Sequence, residues 1–209
     1  MRFLDDSLPA RQNSLRVRYL RIGGHVHISR QSGMTLFELM VVVSIIAILA
    51  TIAVPLFMKT TRRAKAAEVP AMFAEFKLRQ QQYYTENGSF LSTGGYPGAP
   101  DENDAYPAVP SGPDMATPIT LPDSWKALRM QPDKQSLYCS YVTIAGAPSD
   151  NPAGFARAGS FGMTASETDW FFLIAECDFD GVVANRDTDN SWYFTNSDTD
   201  RIAIQNEGR

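Results

Sequence analysis

Residues 39–58 read LMVVVSIIAILATIAVPLFM, twenty residues without a charge. At about 1.5 Å per helical residue such a run spans roughly 30 Å, the hydrocarbon thickness of a bilayer. A buried core helix of that length carries a polar face, and this run has none, so membrane insertion is the reading that fits. A cleaved secretory signal has an apolar part of about 7 to 15 residues closed by a small-residue cleavage site. Here the run is longer and continues into TRRAKAAEV, still helical in pattern, so the apolar helix is expected to stay on the mature protein.

Charge divides the chain of 209 residues at the start of this run. Residues 1–33 hold six arginines against two acids, a net +4, whereas residues 34–209 hold 13 basic and 21 acidic side chains, a net −8. The formal total of −4 thus averages two unlike parts. Composition excludes collagen, a multi-span transporter and a wholly disordered chain. Charge bias does not settle orientation. Arg21 and Arg30 precede the run within about twenty residues, while Lys59, Arg62, Arg63, Lys65 and Lys77 follow it, which alone would place the C-terminal side in the cytoplasm. The two cysteines argue for the opposite side.

Immediately before the run stands Ser32-Gly33-Met34-Thr35-Leu36-Phe37-Glu38-Leu39. Glu38 is an acid at the edge of hydrocarbon, where a carboxylate must snorkel, become protonated or meet a cation. Cleavage after Gly33 would create such a cation, the free amine of Met34, for Glu38 of a neighbouring copy to meet when the apolar helices bundle. The basic leader, Gly33 followed by MTLFEL, the acid fifth from Met34, the long apolar helix with Pro55 inside it and the basic continuation together resemble the N-terminal signal of type IV prepilins and type II secretion pseudopilins. That resemblance implies a membrane aspartyl peptidase and methyltransferase that cuts after Gly33 and methylates the Met34 amine, with Glu38 guiding subunit docking. It covers residues 30–90 strongly and the remainder weakly. Phe is more usual than Met after the cut, and a leader of 33 residues is long: either it is extended, or translation starts later at a non-ATG codon. His25 and His27 fall in this removable part, which makes a metal role for them improbable.

Beyond Met58 the composition turns to Ala, Glu, Lys, Arg and Gln, with Val69, Met72, Phe73, Phe76 and Tyr83 recurring at three- or four-residue steps. An amphipathic helix over 59–84 follows, its stripe needing a partner surface. Pro55 and Pro70 each remove a helical hydrogen bond and are expected to kink the helix. The resemblance implies local melting at Pro55 on assembly and assigns nothing to Pro70. The aromatic side chains along the helix read as packing rather than a conduction path.

Residues 85–135 are crowded with Pro, Gly, Asn and Asp and read as irregular chain, matching the variable loop between helix and sheet in pilins, with Trp125 anchoring a short turn. Four strand candidates follow, 136–144, 169–177, 191–195 and 201–205, separated by turn signals. An antiparallel meander over 136–209 is the economical arrangement, one face on the amphipathic helix and the other meeting solvent or neighbouring subunits. The expected fold is α+β: a long kinked helix on a small four-stranded sheet, divided as leader 1–33, apolar helix 34–58, amphipathic helix 59–84, loop 85–135 and sheet 136–209.

Cys139 and Cys177, the only cysteines, both fall on strand candidates. An oxidising compartment favours joining them, which stabilises the fold by up to roughly 4 kcal/mol on the chain-entropy model. Two separate buried thiols are the alternative. Asp178, Asp180, Asp187 and Asp189 have the oxygen-rich spacing that calcium favours but lack a closing glutamate, so a solvated hairpin is preferred to a calcium loop. Residues 34–209 contain no histidine, no Gly-x-Ser-x-Gly and no phosphate loop, so an enzyme is not expected. No nucleic-acid partner is required by an acidic mature chain.

The function implied is that of a structural subunit, a single-pass precursor in the inner membrane that passes into an extracellular or periplasmic filament. The resemblance adds a platform protein and an assembly ATPase as partners, and adhesion, motility or DNA uptake as roles. A pseudopilin of type II secretion or a minor pilin is the alternative within the class. A single-pass membrane-anchored binding protein is the rival outside it.

Overall fold

The computed structural model describes residues 33–108, 110, 116–148, 150–181 and 185–208. The leader, with His25 and His27, lies outside the described residues apart from Gly33. The chain divides into two compact units, one ending at Ile45 and one beginning at Ile46.

Two helices cover the N-terminal half, α1 at Leu36–Ala66 and α2 at Glu68–Asn87. Among the described residues one helix is long and apolar enough to cross a membrane, and it contains the 39–58 run. The interruption between α1 and α2 is a single residue, Ala67, which keeps right-handed helical dihedrals and still donates its N–H to the Arg63 carbonyl at 3.1 Å. It falls three residues before Pro70, whose ring nitrogen has no hydrogen for the Ala66 carbonyl. Pro55 lies inside α1 with helix on both sides. Gly88 ends α2 in the left-handed region, φ +72°, with its N–H on the Tyr84 carbonyl, a conformation that suits a residue without Cβ.

The rest of the second unit contains the short pair β1 (Thr117–Pro118) and β2 (Ser136–Leu137), helix α3 (Asp123–Ala127), and four longer strands. These are β3 (Cys139–Gly146), β4 (Trp170–Cys177), β5 (Ser191–Asn196) and β6 (Thr199–Gln205), with the short helices α4 (Ala156–Ser160) and α5 (Arg186–Asp189) in the connections. Strands β3 to β6 pair antiparallel in sequence order. This is the four-stranded meander expected from the turn signals, and the fold is α+β.

One face of the sheet carries Cys139, Tyr141, Phe171, Leu173, Ala175, Cys177 and Tyr193 against Val69, Met72, Phe73 and Phe76 of α2. Four residues of the anticipated stripe are therefore buried, and Tyr83 packs at its edge. Gln80 continues the stripe although polar, and it is fully buried. Its side-chain amide imitates a strand partner: Nε2 donates to the Leu91 carbonyl at 2.6 Å and Oε1 accepts from the Leu91 N–H at 3.0 Å. Both polar ends are satisfied, which removes the desolvation cost. Trp125 of α3 anchors its turn as the sequence suggested, with its ring 5.2 Å from that of Phe76 and 5.3 Å from that of Tyr106, edge-on to both.

The second face departs from expectation. Instead of meeting solvent or other subunits, Val142, Ile144, Trp170, Phe172, Ile174, Trp192 and Phe194 are covered by Phe155, Ala158, Phe161 and Met163 of the β3–β4 connection. The cause is visible in β4, WFFLIAEC, in which every residue is buried. A continuous apolar run lacks the alternation of a one-sided strand and demands cover on both faces. Gly146 permits part of this packing, since a Cβ there would sit 2.3 Å from the Trp170 ring.

Cys139 and Cys177 face each other in register on β3 and β4, and the structure joins them in a disulfide 38 residues apart. The bond shortens the free loop of the unfolded chain. Reduction, or the double change Cys139→Ala and Cys177→Ala, is expected to lower stability by about 2–4 kcal/mol. Urea unfolding of the detergent-solubilised chain, followed by Trp fluorescence with and without reductant, measures this.

Candidate functional site

The start of α1 is built by local chemistry. Gly33 and Met34 precede the helix, Met34 is 68% exposed, and nothing among the described residues lies within 4 Å of where a Gly33 Cβ would be. Thr35 and Glu38 form a reciprocal cap: the Glu38 N–H donates to Thr35 Oγ1 at 3.2 Å, while Glu38 Oε2 accepts from the Thr35 N–H and hydroxyl, both at 2.9 Å. A Thr three residues before a Glu is a capping box, which satisfies backbone donors that the first helical turn leaves orphaned. The pattern is legible in MTLFEL as a Thr three residues before a Glu. The cap holds the Glu38 carboxylate beside the Met34–Thr35 backbone, close to where cleavage would expose an amine.

Beyond this cap α1 has no buried residue, and large apolar side chains from Leu36 to Met58 remain open. Ser44 and Thr51, the two hydroxyls of the run, return their hydrogens to the Met40 carbonyl at 2.8 Å and the Ile48 carbonyl at 2.7 Å. The segment therefore presents almost no polar donor outward, as hydrocarbon requires.

Where the helix meets the sheet stands a residue that the sequence reading missed, Glu68. It is buried, and its Oε1 accepts from the N–H groups of Tyr138 and Cys139, both at 2.9 Å, and from the Tyr141 hydroxyl at 3.0 Å. Oε2 has no hydrogen-bond partner, and Lys134 Nζ approaches it to 3.9 Å. One carboxylate thus ties the first turn of α2 to the first residues of β3, beside the disulfide. Its signal was position, since an acid one step before Val69 and four before Met72 falls on the apolar stripe. Burial pushes the Glu68 carboxyl above its ordinary value, against the lowering effect of its donors, and burial beside Glu68 pushes the Tyr141 phenol well up.

The four aspartates of the acidic segment are not brought together. Asp178 Oδ1 accepts from the N–H groups of Asp180 and Gly181, Asp187 pairs with Arg157, and Asp189 Oδ2 accepts from the Asn185 N–H at 2.8 Å. The buried acid nearby, Glu176, is held by Arg186 at both oxygens and by Asn190 at 2.6 Å. A guanidinium thus answers the buried acid, and Asp178, Asp187 and Asp189 each cap a turn or pair locally. Among the described residues no cluster of three or more His, Cys, Asp or Glu forms.

Comparison with known proteins agrees with this geometry. Residues 28–54 match the model of the prokaryotic N-terminal methylation motif. Over 78 residues the chain is 36% identical to the type IV major pilin protein PilA of Myxococcus xanthus, a match covering 37% of this chain and 36% of that protein. Over 60 residues it is 37% identical to the type IV major pilin protein PilE1 of Neisseria gonorrhoeae, covering 29% and 36%. A fimbrial protein of Neisseria meningitidis serogroup A is 37% identical over 62 residues, covering 30% and 36%. The chain spans about a third of the length of these relatives, and no solved structure matches it. It carries the N-terminal methylation motif, and over 60 to 78 residues it is similar to type IV pilins. The matched relatives are pilins and fimbrial proteins rather than enzymes, and the motif with its single apolar helix fits a membrane-anchored precursor.

Glu68 yields a pH signature. With its pKa raised on folding, its contribution to stability is complete below the ordinary carboxylate range and is lost as pH rises through the folded value. Glu68→Gln keeps an acceptor for the three donors and removes the titration, so the variant gains on the parent as pH rises from the ordinary carboxylate range toward neutral. Glu68→Ala leaves three donors unanswered and is expected to cost about 3 kcal/mol or more at any pH. Urea unfolding across that pH range measures both.

Proposed function

We propose that this chain is a structural subunit of a type IV pilus-like filament. A prepilin peptidase removes residues 1–33 and methylates the new amine of Met34. The subunit waits in the inner membrane by its 34–58 helix, then passes into the filament core, driven by an assembly ATPase and a platform protein. The observation that carries this reading is an apolar helix with no buried residue, preceded by an exposed Met34 and holding the Glu38 carboxylate of its first turn against Thr35. The helix needs a surface that its own chain does not supply, first lipid and then other copies of itself.

Glu38 has a defined part in that transfer. In the uncut chain its carboxylate is satisfied by Thr35. Cleavage supplies a cationic N-terminus nearby, and a charge-assisted pair between Glu38 of an incoming subunit and the amine of its neighbour replaces the neutral cap inside the apolar bundle. Pro55 leaves the Thr51 carbonyl without its helical donor, which makes that turn the place where α1 opens as subunits pack. Adhesion, motility and DNA uptake are the roles such a fibre serves.

Co-expression with a prepilin peptidase, followed by intact-mass measurement, tests the processing. The product should begin at Met34 and carry one added methyl group. An uncut chain beside a processed control prepilin contradicts the proposal. Glu38→Ala should leave the cut largely intact and reduce recovery in sheared filaments at least about tenfold, on the scale of one charge-assisted bond in an apolar setting. Undiminished recovery removes the docking role.

A further inference from the structure

Five cations follow the apolar run where charge bias would place few for a head outside the cytoplasm. Three of them, Lys59, Arg62 and Arg63, stand within about 8 Å of helix beyond Met58, the depth of the headgroup layer when residues 39–58 span the hydrocarbon. They do not simply radiate into solvent. With Pro55, Met58, Glu207 and Gly208 they line a cavity of about 390 Å³. Its lower wall is apolar and its upper wall cationic, the sequence of chemistries met on passing from acyl chain to headgroup.

Among the described residues the cations are incompletely answered. Arg62 donates through Nη1 to the Gly208 carbonyl at 2.5 Å, while its Nε is buried without a hydrogen-bond partner. Arg63 meets Glu207 only at 3.7 Å, with both side chains more than half exposed. Lys59 makes no ion pair among the described residues. Among the described residues three positive charges thus face one carboxylate, and a buried N–H of a guanidinium has no acceptor, which is costly to leave unmet.

We propose that this cavity binds the phosphodiester headgroup of an anionic phospholipid while the subunit is held in the membrane. Guanidinium groups at Arg62 and Arg63 offer the paired donors that phosphate oxygens accept, and Lys59 adds a point charge at the mouth. The acyl chains descend past Met58 and Pro55 along the apolar helix. Glu207 competes with the phosphate for Arg63, so lipid binding loosens the C-terminal residues from the foot of the sheet. The same site selects acidic lipid over zwitterionic lipid and counters the charge bias against export of these cations. This inference rests on membrane insertion of residues 39–58.

Native mass spectrometry of the full chain, released from vesicles containing equal phosphatidylglycerol and phosphatidylcholine, reads the lipids retained. Expected is one phosphatidylglycerol kept in preference, by about fivefold for each cation engaged. Lys59→Gln should weaken that preference about fivefold, Arg62→Gln at least as much, and Glu207→Gln should strengthen it. The last variant keeps every cation and guards against misfolding as an explanation, with thermal melting of each variant alongside. Equal retention of the two lipids, or no response to any of the three substitutions, overturns the proposal. Glycerol phosphate binding as tightly as the lipid overturns the lipid as ligand. Failure of the chain to enter the vesicles, read separately by resistance to carbonate extraction, overturns the membrane reading and this inference with it.

Discussion

Uncovered apolar surface on α1 is the constraint on which the remainder depends. The large apolar side chains from Leu36 to Met58 all stand exposed, between 42% and 76%. Burying one such side chain is worth on the order of 2 kcal/mol, so together they outweigh the whole stability of an ordinary domain, about 5–15 kcal/mol. No rearrangement of a small sheet could offset that. The helix must lie in lipid or among other helices, and exchanging one for the other calls for a guide at the edge. The Thr35–Glu38 cap supplies a carboxylate at that edge.

The continuation of the same helix obeys a different rule. From Glu68 onward the apolar residues gather on one side, where Val69, Met72, Phe73 and Phe76 meet the sheet. Glu68 begins this stripe and fastens it, giving three hydrogen-bond donors of β3 and its approach a single acceptor. The disulfide at Cys139 lies within that network, so covalent and electrostatic ties converge where α2 begins. Strands β3 to β5 are then buried on both faces, while the edge strand β6 stays largely exposed.

Much of this was legible in the residues. The uncharged run, the glycine and acid in register before it, the stripe of α2, the meander and the buried role of Trp125 all follow from periodicity, length and turn chemistry. Cover on the second sheet face did not, because it comes from residues 155–163, which carry no strand or turn pattern that ties them to FFLIA in β4, where alternation is missing. Glu68 and Gln80 escaped because a polar residue on an apolar stripe is identified only by partners distant in sequence, Cys139 and Leu91. The aspartates at 178–189 suggested a cation site by spacing alone. Spacing carries no information about side-chain directions, and the hydrogen bonds of Asp178, Asp187 and Asp189 are local.

Electron cryomicroscopy of filaments sheared from cells that express the chain tests the central claim most directly. The account predicts subunits beginning at Met34, with residues 34–58 of successive copies bundled along the axis, Glu38 beside a neighbour's amine, and the disulfide-linked sheet on the outside. Filaments that lack this chain, with the intact precursor confined to the membrane fraction, would contradict it.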